Sequence, residues 1–175
     1  CCTGDGCGLL IKKPDDFLRA QAQAQGVTLN ARYGVGMIFL NPDAAKAEAA
    51  RKALTQSLEG KQLSVAGWRE VPVDSNVLGA QAAGMEPKIE QVFVHAPDSM
   101  SDADFNRALF VARRQTEMAI EPKDEDFYIA SLHTQLLAYK GLVMPRELSL
   151  YYRDLQEDGF ASSLISYHQR FSTNT

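Results

Sequence analysis

The sequence predicts an α+β fold, and three observations carry that expectation. Helix start and stop signals bracket three segments. β-leaning apolar runs fill most of the intervals between them. The last of these runs come in adjacent pairs instead of alternating with helices, which favours a layered α+β domain over a strictly alternating parallel one. A length of 175 residues fits one ordinary domain, and a hydrophobic content of 45% is enough for a packed core.

The elements follow in order. "CGLLIKK" (7–13) is a short strand. "PDDFLRAQAQAQG" (14–26) is a helix that starts at Pro14, carries Asp15 and Asp16 at the positive end of its dipole and stops at Gly26. "RYGVGMIFL" (32–40) is a strand in which Gly34 and Gly36 call for a close backbone approach on one face. "NPDAAKAEAARKALTQSLEG" (41–60) is the clearest helix, with Asn41 as cap, Pro42 in the first position, alanines in the body and Gly60 at the end. "LSVAGWREVPV" (63–73) is the next strand, and "DSNVLGAQAAGMEP" (74–87) a turn-rich link. "KIEQVFVHA" (88–96) alternates with period two, with both faces partly apolar. In "SDADFNRALFVARRQTEMAI" (101–120), Ser101 and Asp104 have capping-box spacing. Phe105, Leu109, Ala112 and Ala119 mark its apolar face, with Asp102, Arg113 and Glu117 elsewhere. "FYIASLH" and "LLAYKGLV" are expected to form a hairpin turning at Thr134-Gln135. "PRELSLYYRDL" is a short helix or irregular segment, and "ASSLISYHQRF" a last strand.

Composition narrows the functional classes. A net charge of -4 and a pI of about 5.4 argue against a nucleic-acid or anionic-membrane partner. The longest apolar runs, "VGMIFL" and "LFVA", are too short to span a bilayer, and no signal-peptide pattern opens the chain. The first residue is not methionine, so the chain is read as processed or as cut from something longer. Three cysteines within seven residues do not make a disulfide framework, and a reducing, cytoplasmic setting is expected.

Three features invite chemistry. The first is "CCTGDGCG". It lacks the Lys-Ser/Thr of a P-loop and the spacing of G-x-G-x-x-G, and it opens a strand, so it offers no helix N-terminus to a phosphate. A tight turn with positive φ at Gly4 or Gly6 is the plainer reading. Cys1 could act as an N-terminal nucleophile, but a second cysteine and a turn follow it where a strand should. The second feature is metal ligation. Cys1, Cys2 and Cys7 lack paired C-x-x-C spacing, and His95, His133 and His168 are scattered singly, so no metal is expected. The third is the tail "YHQRFSTNT". Arg170 can grip a carboxylate with two parallel hydrogen bonds, and Ser172, Thr173 and Asn174 can add donors, although a solvated strand end would look the same.

The same tail carries a resemblance. "HQRFSTNT" together with "TGDGCGLLIKKPDDFLRA", "YGVGMIFLN", "GWREVPVD", "IEQVFV", "FYIASL" and "YKGLVMP" resembles, over all 175 residues and in order, the class II glutamine amidotransferase domain of glutamate synthase large subunits. The resemblance implies part of a four-layer αββα N-terminal-nucleophile hydrolase fold, lacking its first strand and its C-terminal portion. It implies hydrolysis of L-glutamine to glutamate and ammonia, the ammonia being channelled to 2-oxoglutarate. It also implies that the nucleophilic cysteine, in a Cys-Gly-x-Gly stretch, lies upstream of Cys1, since neither Cys1 nor Cys2 is followed by Gly-x-Gly.

On this resemblance Arg170 matches the arginine that binds the glutamine α-carboxylate, Thr173 matches a residue lining the same pocket, and Gly6 and Gly8 match a structural turn beside it. The 175 residues are expected to be inactive alone. The parent enzyme's FMN, iron–sulfur cluster and NADPH are expected to be held elsewhere, and its partners to be the remainder of the large subunit and a small NADPH-oxidising subunit. The reading from another class is a non-catalytic interaction or ligand-binding module that retains the fold.

Overall fold

The computed structural model describes residues 6–169, which form two antiparallel sheets and a layer of helices. β1 (Cys7–Lys12) lies between β6 (Leu136–Gly141) and β7 (Ile165–His168). The second sheet has the order β3 (Ser64–Glu70), β4 (Lys88–His95), β2 (Gly34–Leu40), β5 (Tyr128–His133). Cys7, Ile11, Leu137 and Tyr139 of the first sheet face Val35, Met37 and Phe93 of the second across one core. Helix α1 (Asp15–Ala24) closes that core with Phe17, Leu18 and Ala22. On the far face of the second sheet, Ile38, Leu40, Val92 and Ile129 pack against α2 (Ala44–Glu59) and α4 (Asp102–Ile120). β4 is therefore partly apolar on both faces because both are covered, and six of its eight residues are buried, Glu90 and Gln91 among them.

The glycines of β2 follow from the same layering. A Cβ on Gly34 would stand 2.9 Å from Leu109 of α4, and one on Gly36 would stand 2.8 Å from Val92 and 2.9 Å from Leu132. These close approaches on the helix-facing side are what the sequence pattern indicated.

Three local expectations need correction. The helix after β2 is capped by Asp43, whose carboxylate accepts from the Ala45 and Lys46 amides, and not by Asn41. Asn41 is instead drawn inward, where its amide donates to Asp124 and Asp126 at 2.8 and 2.9 Å. Ala119 of α4 is exposed, while Thr116 and Glu117 are buried at that end. Thr116 donates to the Ala112 carbonyl, and Glu117 is neutralised by Arg113 and Arg114. At the other end Ser101 caps the helix as its spacing to Asp104 indicated, its hydroxyl accepting from the Asp104 amide and donating to the Asp104 carboxylate. β5 and β6 do not form a hairpin. Each takes its ladder hydrogen bonds in a different sheet, β5 with β2 and β6 with β1, so residues 134 and 135 are a corner between sheets. Asn106 fastens that corner by accepting from Thr134, and the Lys13 amide donates to the Gln135 carbonyl.

The helices end where expected, α1 before Gly26 and α2 at Gly60. Both α1 and α2 finish in the same six-residue motif. In α1 the Val27 amide reaches the Ala22 carbonyl and the Gly26 amide reaches Gln23, with Gly26 at φ +74°. In α2 the Leu63 amide reaches Leu58 and the Gln62 amide reaches Glu59, but the left-handed position is occupied by Gln62 at φ +62°, not by Gly60. A side chain there costs about 1 kcal/mol. Gln62→Gly is therefore expected to raise unfolding stability by several tenths to about 1 kcal/mol, part of the gain being lost to the greater freedom of glycine in the unfolded chain. A denaturant midpoint unchanged or lowered would show that the strain is absorbed elsewhere.

Candidate functional site

The start of β1 is where two sequence-distant signals meet. Gly6 has φ +89°, so the turn needs glycine on conformational grounds. Gly4 lies outside the described residues. Cys7 then turns its side chain into the core, 1% exposed. Burial, reinforced by the Glu147 carboxylate, pushes the Cys7 thiol up, away from the thiolate that a nucleophile or metal ligand requires. Gly8 points to the opposite face and is wedged between both neighbouring strands. A Cβ there would lie 2.7 Å from His168 Cε1, 2.8 Å from Lys140 Cβ and 3.1 Å from the Tyr139 carbonyl.

The register pairs Gly8 with His168 on β7 and with Lys140 on β6, and Cys7 with Gly141. The strand that leads into the tail thus ends beside the glycine turn, although 160 positions separate Gly8 from His168. The candidate carboxylate-binding residues Arg170 and Thr173 lie outside the described residues, as do Cys1 and Cys2.

At the same end of the two sheets is a cavity of about 250 Å³. Its walls come from the ends of β2 and β6, the start of β4, Tyr151 of α5 (Leu148–Tyr151) and the link that holds α3 (Ala80–Ala83). Glu86 fastens that link, accepting from Ser75 and from the Tyr151 hydroxyl, each at 2.9 Å. Burial and the adjacent Glu86 carboxylate push the Tyr151 hydroxyl well above the usual tyrosine range. Lys140, also on the wall, donates to the Tyr128 hydroxyl at 3.1 Å. Sequence reasoning missed Glu86, Tyr151 and Lys140 because no motif joins them. Only the folding of the turn-rich link onto α5 does so.

The histidines occupy different ends and are not brought together. Among the described residues no three His, Cys, Asp or Glu side chains converge as a metal-ligand set. His95 accepts from the Asn30 amide at 3.2 Å, and His133 accepts from the Gln135 amide at 3.0 Å. Both bonds need a neutral ring nitrogen, and burial pushes both imidazoles below the ordinary histidine value of about 6.5. The unfolded chain therefore binds more protons than the folded one as pH falls through about 6.5. Stability is expected to be level above that pH and to decline below it. Denaturant titrations on His95→Gln and His133→Asn should show a shallower decline, and an unchanged slope in both variants would exclude these two groups as its cause.

Comparison with known proteins matches residues 1–175 to the family described as Glutamine amidotransferases class-II. The chain is 38% identical over 174 residues to "Glutamate synthase [NADPH] large chain" of Bacillus subtilis, covering 99% of this chain and 11% of that protein. It is 37% identical over 175 residues to "Ferredoxin-dependent glutamate synthase 2" of Synechocystis, again covering 99% and 11%. It is 32% identical over 176 residues to the "Glutamate synthase [NADPH] large chain" of Azospirillum brasilense, covering 99% and 12%. The chain thus spans about a ninth of the length of these relatives. It belongs to the family of class-II glutamine amidotransferases.

Proposed function

We propose that these residues are part of the glutaminase domain of a glutamate synthase large subunit, with an N-terminal-nucleophile hydrolase fold completed by flanking chain. The carrying observation is the β1–β7 pairing, which delivers the strand preceding Arg170 to the glycine turn at Gly6–Gly8. The whole-chain family match supports it. In this reading a cysteine upstream of Cys1 supplies the thiolate. It attacks the side-chain amide of L-glutamine, the carbon–nitrogen bond breaks as ammonia leaves, and water then releases glutamate from the thioester. The ammonia passes to 2-oxoglutarate elsewhere in the parent enzyme.

The part assigned to this chain is binding. Arg170 holds the α-carboxylate with two charge-assisted hydrogen bonds, and Thr173 lines the pocket. The redox chemistry of the parent enzyme, including its iron–sulfur cluster, is not assigned to this chain. FMN, NADPH and the small subunit are assigned to regions beyond this chain.

The test is direct. The 175-residue chain should release no glutamate from glutamine. Turnover that disappears in Cys1→Ser would overturn the assignment of the nucleophile. In a longer polypeptide that does turn over, Arg170→Ala should raise KM for glutamine about 10- to 150-fold, the loss of a charged hydrogen-bond pair being about 1.5–3 kcal/mol. A KM within twofold of the unaltered protein would remove Arg170 from the carboxylate site.

A further inference from the structure

β7 is the outer strand of its sheet, and it leads toward Arg170. Its own side chains do little to fix its register. All four residues of β7 are exposed. Ile165 and Tyr167 stand opposite Ile11 and Leu9, on the core-facing side, and are still 59% and 69% exposed. Burial holds a strand in register because a slip of one residue turns its apolar set to the other face. An exposed strand lacks that penalty, and a slip of two residues keeps even the alternation of faces. Gly8 leaves room for His168, but a slip that set Ser166 opposite Gly8 would place a smaller side chain there.

The register is held from upstream. The Ser162 hydroxyl lies 2.7 Å from the Lys12 carbonyl and 2.9 Å from the Leu164 carbonyl, and it donates between them. The Lys12 amide donates to the same Leu164 carbonyl at 3.0 Å. One serine thus ties the last residue of β1 to the residue that precedes β7. Two positions earlier, the Phe160 ring is set edge-on against Phe17 and Tyr139, with centroid separations of 5.1 and 5.7 Å. Phe160 anchors the segment in the aromatic core, and Ser162 chooses the rung of β1 on which the strand begins.

We infer that Ser162 is a positioning residue for the carboxylate site. It acts through β7, by fixing the point on β1 from which the chain continues to Arg170. The inference rests on the reading of Arg170 as the carboxylate ligand. A slip of two residues would carry that point about 7 Å along β1, more than twice the length of a hydrogen bond. A guanidinium displaced so far loses the paired geometry that carboxylate binding requires.

The test has two arms, both on Ser162, because Phe160→Ala would open the aromatic core and confound position with stability. The first arm is NMR of the 175-residue chain. Ser162→Ala should speed hydrogen exchange of the Lys12 amide about two- to tenfold and weaken the cross-strand contacts Leu9–Tyr167 and Ile11–Ile165. The slowest amides of β4 should be unaffected, and Ser162→Thr, which keeps the hydroxyl, should restore the original behaviour. The second arm uses a longer polypeptide that turns over glutamine. There Ser162→Ala should raise KM for glutamine about two- to tenfold with kcat within about twofold, and Ser162→Thr should bring it back. Unchanged Lys12 exchange and contacts in Ser162→Ala would overturn the inference. So would an unchanged KM in a polypeptide where Arg170→Ala does raise it. If Arg170→Ala itself leaves KM unaltered, the carboxylate reading fails instead, and the exchange arm alone decides whether Ser162 sets the register.

Discussion

Replacing Asp154 by alanine is expected to destabilise the chain by about 3–5 kcal/mol, because it strands a guanidinium in the core between the sheets. Arg69 and Asp154 are 3% and 1% exposed and meet through two bonds of 2.6 and 2.8 Å. The rest of the guanidinium is taken by Gln91 at 2.9 Å and Gln21 at 3.2 Å, and the Tyr139 hydroxyl donates to the same Asp154 carboxylate. Burial and that carboxylate together hold the Tyr139 hydroxyl well above the usual tyrosine range, so it remains a donor. One network therefore joins β3, β4, α1, β6 and the 3-10 helix Arg153–Gln156, which is every layer around this core. Removing one ion leaves the other unpaid for in a site that excludes water. Removing both should cost far less, since a buried pair replaced by apolar groups is often near neutral. Urea titrations of Asp154→Ala and of Arg69→Met with Asp154→Leu measure the contrast. A single variant costing under about 1 kcal/mol would show that water reaches the guanidinium and that the network is not the lock described.

That network also marks where sequence reasoning stopped. The helices and strands were legible because their signals are local: Asp15 and Asp16 at a helix start, the Ser101 cap, the apolar runs of β2 and β4. Arg69 and Asp154 are 85 positions apart, and each reads alone as a polar surface residue. The same limit explains the false hairpin. Two strands separated by two residues favour antiparallel pairing, yet each can do better with a distant partner. Pairing with β2 and β1 puts Ile129 and Leu137 into two different cores, where a hairpin would have placed both strands in one sheet. Asn41 failed as a cap for a related reason. Asp43 is as good a cap, and the choice between them was decided by Asp124 and Asp126, more than 80 positions away.

The candidate site divides along similar lines. The glycine turn and the tail were visible as unusual strings, and the resemblance tied them to glutamine chemistry. Their adjacency is a matter of register and appears only in the β1–β7 ladder. The cavity had no counterpart in the sequence reading. The segment that covers it, residues 74–87, reads as a connector because it is rich in turn formers. What makes it a wall is its fastening to residues more than 60 positions later: the Asp74 amide donates to the Tyr151 carbonyl, Arg153 pairs with Asp74, and the Tyr151 hydroxyl donates to Glu86.

Gly8→Ala is the second large effect, an expected loss of about 1–3 kcal/mol from overpacking. The added Cβ meets three atoms at 2.7–3.1 Å, and they differ in their freedom to retreat. The His168 contact is with a side-chain atom. The Lys140 Cβ and the Tyr139 carbonyl belong to the backbone framework of β6 and cannot move without displacing the strand that pairs with β1 along its whole length. Gly159 provides the control: nothing lies within 4 Å of a Cβ there, so Gly159→Ala should be neutral or slightly stabilising through the unfolded chain. If Gly8→Ala costs no more than Gly159→Ala in the same denaturant titration, the three strands are less tightly set than the structure describes. The distinction matters for function. A glycine required by positive φ, as at Gly6, fixes the direction of the chain, whereas a glycine required by proximity fixes the distance between neighbours. At Gly8 that distance is the spacing between Lys140 and the end of β7. A Cβ at this position would push the strand leading to Arg170 away from the turn it is meant to adjoin.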